Sequence, residues 1–366
     1  MEQIYNFSES PSMIVPEVLS RICDGMLNYK DSGISILELT TNSHDYQELY
    51  TRAEDALRRL MNIPQNFRIL FLTGDGESQF SAIPLNLFSG HKCADYILTG
   101  INSKRASLEA KKYGDVAIAA SSAGATPTFS TIPDTARSSF RPDADYVHVC
   151  FNNAVYGTKF HYVPDTGSVP LVADMSSYLL SEPVDMSKFA MIYASAAACL
   201  GISGLTIVIL RDDFVSGAPH EAPSLLNYKK IVENKDVYNA PTAFSLYMLN
   251  HVFDWIFSIG GLEEMKRRNE RKASKLYDYL DRQSYYTAPV DKKCRSLLNV
   301  IFVTGDDALD KKFAEEADAV GLKNLAGDSS VGGMRASIYN SMPMDGVDKL
   351  VKFMEQFAHS HPKLSE

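Results

Sequence analysis

Apolar positions along the chain follow two spacings. Between Pro16 and Tyr29, Val18, Leu19, Ile22 and Met26 recur at helical intervals and predict an amphipathic helix. A second helix is predicted over Tyr46 to Met61, and the apolar run Phe67-Arg-Ile-Leu-Phe-Leu72 reads as a strand. Ala94 to Gly114 reads as strand, glycine turn and helix, and Asp143 to Cys150 as another strand. Pro170-Leu-Val-Ala173 is a buried strand closed by Asp174 and followed by Ser176 and Ser177. Ala194 to Gly204 is an apolar turn of small residues leading into the strand Ile207-Val-Ile-Leu210. Thr242 to Ile259 is a long apolar helix carrying Trp255, ended by Gly260 and Gly261, after which Gly261 to Gln283 reads as a charged amphipathic helix. A carboxylate at the C-terminal end of a parallel strand, as Asp174 would be, lies where open α/β sheets place their ligands.

Composition narrows the function classes. The 366 residues are 45% hydrophobic and 22% charged, as expected of a globular protein with one large domain and a smaller one. A formal charge of −9 argues against nucleic-acid binding, which calls for a basic stripe. Cys23, Cys93, Cys150, Cys199 and Cys294 are dispersed without metal-ligand spacing and suggest reduced thiols. Met1 to Ser10 has no basic region followed by an apolar run, and no apolar run approaches the roughly 20 residues of a membrane helix. The expectation is a cytoplasmic protein with no membrane partner and no internal repeats.

One turn has the form of an anion site. Thr73-Gly-Asp-Gly-Glu-Ser-Gln79 opens a helix at about Ser78, where free amides and the helix dipole favour a phosphate. Asp75 and Glu77 enter that cradle, and a carboxylate both caps the amides and repels an anion. A capped helix is the reading that follows.

Ala194-Ser-Ala-Ala-Ala198-Cys-Leu-Gly-Ile-Ser-Gly-Leu-Thr206, Val172-Ala-Asp-Met-Ser-Ser177 and Val331-Gly-Gly-Met-Arg-Ala-Ser-Ile-Tyr-Asn340 resemble segments of the phosphoserine aminotransferase family. These are fold-type I enzymes that use pyridoxal 5'-phosphate (PLP). The resemblance runs from about Ile4 to Ala358. It implies an α/β fold: a large domain over 14–259 with a mainly parallel central sheet, and a small C-terminal α/β domain formed by 260–366 with the N-terminal segment 1–13. It also implies a homodimer, because Tyr238-Asn-Ala-Pro-Thr-Ala-Phe244 is similar to the stretch by which one subunit reaches its neighbour's PLP phosphate.

The resemblance further implies roles that this chain keeps or lacks. Asp174, Asn239, Arg335 and Asn153 are retained; Asp174 would pair with the pyridine nitrogen and Arg335 with a substrate carboxylate. The family's Schiff-base lysine is Ala198 here, and the glutamine before it is Ala197. Its substrate-binding His-Arg pair is Thr41 and Asn42, its ring-stacking tryptophan is Asn102, and hydroxyl-bearing threonines are Ala154 and Ala240. Two substrate-phosphate contacts are Asp328 and Ser329, while Glu77 adds charge to the phosphate turn. In the N-terminal segment Glu9 and Ser10 replace Ala and Gly.

From these departures the expectation is a chain that has lost PLP binding and transamination, with no cofactor, acting as a non-catalytic dimeric, ligand-binding or partner protein. A second reading is a repurposed pocket with a PLP-independent activity on a small non-phosphorylated substrate. There Asp75, Glu77, Asp174, Cys199 and Asp328 would matter, although Cys199 also reads as a small buried hydrophobe. A third is residual transamination of phosphoserine with 2-oxoglutarate. No catalytic residue is assigned, and the acids Glu77, Asp174 and Asp328 lack the ligand spacing of a metal site.

Overall fold

The computed structural model describes residues 3–88, 90–216, 222–234 and 238–363, so residues 1–2 and 364–366 of the expected small domain lie outside the described residues. In chain order its principal elements are α1 (Pro16–Leu27), α2 (His44–Leu60), β1 (Phe67–Thr73), α3 (Gln79–Leu87), β2 (Cys93–Leu98), α4 (Ile101–Ala110), β3 (Asp115–Ser121), β4 (Tyr146–Cys150), β5 (Leu171–Asp174), β6 (Met191–Ser195), α5 (Ala196–Leu200), β7 (Leu205–Arg211), α6 (Ala243–Ser258), α7 (Gly261–Arg282), β8 (Asn299–Phe302), α8 (Asp307–Ala319), β9 (Met334–Ser337) and α9 (Met344–Ser360).

Seven of these strands form the central sheet in the order β1-β7-β6-β5-β4-β2-β3. Neighbours from β6 to β3 pair in parallel, and β7 alone runs antiparallel, to both β1 and β6. The expected α/β architecture with a mainly parallel sheet is the one observed. Alternate residues of each strand feed two apolar layers. Ile69, Phe71, Val147, Ala173, Ile192 and Ile207 face the side covered by α1, α2 and α6. Leu70, Leu72, Tyr96, Val172, Tyr193 and Val208 face the side of α3 and α4. A sheet buried on both faces reads as continuous apolar runs, which is why its strands stood out. A third cluster joins Tyr5 and Phe7 to residues of α7, β8, α8, β9 and α9.

Several local readings need correction. Leu19 is 46% exposed, because α1 buries Val18, Ile22 and Gly25 instead. Gly25 fits there because a side chain would collide with the Tyr247 hydroxyl, 2.7 Å from an added Cβ. The small-residue turn after β6 contains a helix, α5, whose end at Gly201 adopts φ +74°. The expected strand from Asp143 begins only at Tyr146.

Candidate active site

β5 and β6 end side by side, with Asp174 paired to Tyr193 in register. Beyond their carboxyl ends lies a cavity of about 500 Å³, lined by Asp174, Ser176, Ser195 and Ala198 from the sheet side. The turn at Asp75–Glu77, the start of α4 at Asn102 and Arg105, and the segments at Glu9 and Asp328 complete its wall. Ligands of open α/β sheets sit at this edge.

Asp174 is almost wholly buried, and one of its oxygens, Oδ1, accepts from the Ser176 amide at 2.9 Å and the Ser176 hydroxyl at 2.6 Å. Burial pushes the Asp174 carboxyl up, and the Ser176 hydrogen bonds oppose it. The second oxygen, Oδ2, lies 4.0 Å from the Cys150 sulfur. Ser176 also accepts from the Ser195 amide at 3.0 Å, which ties the end of β5 to the start of α5. Gly76 packs into this junction: a Cβ there would stand 3.1 Å from the Ser176 hydroxyl and 3.2 Å from the Ser195 nitrogen.

Of the two carboxylates expected to cap α3, only Asp75 caps, and it caps the single turn Gly76–Ser78, while α3 itself has no side-chain cap at Ser78. Asp75 Oδ1 accepts from the Gly76 amide at 2.6 Å, and Glu77 pairs with Arg105 at 2.7 Å. Asp328 accepts from the amide and hydroxyl of Ser330, which hold its carboxyl below the usual range. Arg335 is buried behind Glu9, with Nη1 3.0 Å from Glu9 Oε2. The separation is that of an ion pair, but the direction misses hydrogen-bond geometry, and Nε and Nη1 have no hydrogen-bond partner. Burial raises the Glu9 carboxyl against the pull of Arg335.

The cavity gathers Glu9, Ser10, Asp75, Glu77, Asn102, Asp174, Ala198, Asp328 and Ser329 from the residues singled out in the sequence. Others stand apart. Ala197 turns its carbonyl to the Ser12 amide, 3.0 Å away. Ala154 and Asn153 are buried beside the cavity, and Asn153 Oδ1 accepts from Thr99 at 3.2 Å. Asn239, at φ +56°, and Ala240 are held against β1, where the Thr73 amide and hydroxyl bond their carbonyls. Thr41 and Asn42 lie in the partly exposed turn before α2, outside the cavity lining. Cys199 is fully buried, and burial pushes its thiol far up, as a structural cysteine's would be. Arg105 was missed. It sits one turn after Asn102 on α4, so helical spacing alone placed it on the same face.

Among the described residues one acidic group has a metal-like layout, His44, Asp45 and Glu48, but the Lys30 ammonium occupies it at 3.3 Å from Asp45 and 2.6 Å from Glu48. The described cysteines are free. No helix among the described residues is long and apolar enough to cross a membrane.

Residues 4–350 match the family model for class-V aminotransferases. A phosphoserine aminotransferase of Bacillus cereus is 44% identical over 357 residues, covering 98% of this chain and 99% of that protein. This chain belongs to the phosphoserine aminotransferase family. A solved phosphoserine aminotransferase, studied for radiation damage of its Schiff base, superposes with a TM-score of 0.94 at 38% identity, covering 99% of this chain and all of that one. A PLP-bound phosphoserine aminotransferase from Trichomonas vaginalis gives 0.89 at 35% identity, covering 96% of this chain and all of that one.

These similarities overturn three expectations drawn from the site departures. Neither a non-catalytic protein nor a repurposed PLP-independent pocket accords with identity of this level along the full length of phosphoserine aminotransferases. The expected loss of the cofactor is likewise overturned by membership in a PLP-using family. Only some of the departures, Glu77, Asn102, Ala198, Asp328 and Ser329 with Glu9 and Ser10, line the cavity, and single side chains weigh less than a whole preserved scaffold.

The residues present fit PLP held by non-covalent contacts. Asp174 offers a buried carboxylate whose Oδ2 is left by Ser176 to the weak Cys150 thiol at 4.0 Å, with Tyr193 also bonded to the carboxyl; a ring nitrogen would be the stronger donor. Arg105 brings a guanidinium to the lining, to which Ser195 also contributes. No lysine lines the cavity, and residue 198 presents a methyl group.

Proposed function

We propose that this chain transfers an amino group between phosphoserine and an oxo acid such as 2-oxoglutarate, with PLP in the cavity at the carboxyl ends of β5 and β6. The observation that carries this reading is 44% identity to a phosphoserine aminotransferase over essentially the whole of both chains. When bound, the cofactor supplies the electron sink through which amino groups are exchanged. Asp174 would hold the ring nitrogen, sharing a proton that burial already favours on the carboxyl. Arg105 and Ser195 would bind the cofactor's phosphate, with Arg105 giving up Glu77. Arg335 would take a substrate carboxylate in place of Glu9. Since residue 198 has no amine, the chain holds the cofactor without a covalent bond, and the amine form of the cofactor suits that arrangement. A positioned general base typically contributes 10²–10⁴-fold, so turnover should be slow by about that factor relative to a chain with an amine at 198.

The reading includes a homodimer. Thr41, Asn42, Asn239 and Ala240 lie away from their own chain's cavity, near the exposed apolar residues Leu37 and Leu225, which an association would cover. A monomer by light scattering at micromolar concentration would remove that part.

The main test is glutamate formation from phosphoserine and 2-oxoglutarate with PLP or pyridoxamine 5'-phosphate added. Slow turnover that needs added cofactor and vanishes in Asp174→Ala is expected. A wild-type chain inert under conditions where Ala198→Lys turns over would overturn the reading.

A further inference from the structure

A second cavity, of about 450 Å³, lies among the start of α1, the end of α6, α7 and the segment after β9. None of its lining residues is shared with the cavity at Asp174. One wall is apolar, with Trp255, Met13, Val15 and Met344. The other belongs to α7, which turns Arg268, Arg271 and Lys272 toward it.

Three cations thus face two carboxylates, Glu17 and Glu264, in this lining. Glu264 is already engaged, accepting from Arg267 at 2.9 Å and Arg268 at 3.2 Å. Arg271 is exposed and has no ion pair or hydrogen bond among the described residues. Lys272 is different in kind. Only 2% exposed, its ammonium donates to the carbonyls of Ile338 at 2.8 Å and Tyr339 at 2.5 Å. No carboxylate pairs with it among the described residues, and its third N–H has no partner there. Buried charges are ordinarily paired, and desolvation lowers the Lys272 ammonium to about 7, with Arg268 adding to the effect and Cys199 opposing it. An anion in the adjoining cavity would supply the missing counter-charge.

We propose that this cavity binds a small organic anion, its carboxylate or phosphate group against Lys272 and Arg271 and its flat apolar body against Trp255. The volume lies in the range of small-molecule sites, which combine an apolar lining with a few convergent polar groups. The site is independent of the cofactor cavity, so its success or failure says nothing about transamination.

Trp255 is the chain's one tryptophan, so its emission reports on this cavity alone. The purified full chain is titrated with 4-phenylbutyrate and, separately, with phenyl phosphate, followed by tryptophan fluorescence. A saturable change is expected with at least one of them, weakened about tenfold or more in Arg271→Gln. The groups facing Lys272 are Glu264, Arg268 and Arg271 on its own helix, Glu17 on α1, Cys199 on α5 and Tyr339 after β9. Burial pushes the Cys199 thiol and the Tyr339 phenol upward, away from neutrality. Binding of 4-phenylbutyrate, whose charge is constant over the range, should therefore weaken between pH 6 and 8.5 as Lys272 loses its proton, and Lys272→Met should abolish that dependence. Absence of a saturable change with both probes would overturn the proposal. So would equal affinity in Arg271→Gln, or equal binding of uncharged 4-phenylbutanol. Arg271 is exposed, so that variant keeps the test decisive should Lys272→Met fail to fold.

Discussion

Glu9 lies 3.0 Å from Arg335 and occupies the guanidinium that a substrate carboxylate would need. The chain therefore sets a carboxylate from the cavity lining against the arginine proposed to take the substrate's. The contact is an ion pair without hydrogen-bond geometry, and Glu9 is partly exposed, so it is worth about 1 kcal/mol. Glu9→Gln should strengthen binding of glutarate by about fivefold, read by titration calorimetry. The pH dependence has a definite sign. Burial raises the Glu9 carboxyl, so it is protonated first as pH falls, releasing Arg335 and strengthening anion binding. In Glu9→Gln that acid-side gain should be absent, and unchanged affinity in the variant would show that Glu9 does not compete.

Ala198 supplies the second test. Its methyl group faces the cavity from α5, and no lysine lines that cavity. Ala198→Lys should retain PLP covalently after borohydride reduction, detected as a mass increase on the peptide containing residue 198, and should raise turnover by about 10²-fold or more. Wild-type protein treated alike should show no adduct there. An adduct on another lysine of the wild type would reveal an amine that reaches the cofactor from outside the lining.

The third prediction concerns acid stability. His148 is buried in β4, 2.9 Å from the Tyr193 hydroxyl and stacked on Tyr96, and its Nδ1 has no partner. Burial lowers its pKa from 6.5 to about 3. Between those values the unfolded chain binds the proton and the folded chain does not, so stability falls as pH drops below 6.5 and the loss is complete near 3. At pH 5 the loss is on the order of 2 kcal/mol relative to neutral pH. His148→Gln should flatten this part of the urea-unfolding profile, and an unchanged pH slope would count against the burial argument.

What was legible in the sequence followed from burial on both faces of a sheet. The runs Ile69–Leu72 and Ile207–Leu210 are apolar throughout because alternate residues enter two different cores, and Asp174 stood out as the acid closing such a run. Directions were not legible: nothing in Ile207–Leu210 says that β7 runs against both neighbours. The cavity's polar wall was harder. Glu9 and Arg335 are more than 300 residues apart in the chain, and Glu77 and Arg105 meet only because α3 and α4 lie side by side. Reading each departure separately gave an emptied pocket, where the structure has acids with partners: Glu9 on Arg335, Glu77 on Arg105 and Asp328 on Ser330. The weight given to Ala198 led to an expectation of lost function that full-length similarity does not support.

The backbone around residue 198 is fastened on both sides. The Ser12 amide holds the carbonyl of Ala197, the Asn340 side chain reaches the carbonyl of Cys199, and Gly201 fixes the exit with Ile14 packed where a Cβ would be. The Thr206 hydroxyl then bonds the carbonyl of Gly74, closing the loop onto β1. Such a frame separates shape from chemistry: these contacts are made by backbone atoms and by neighbours of residue 198, none by its methyl group, so the course of α5 does not depend on which side chain stands at this address.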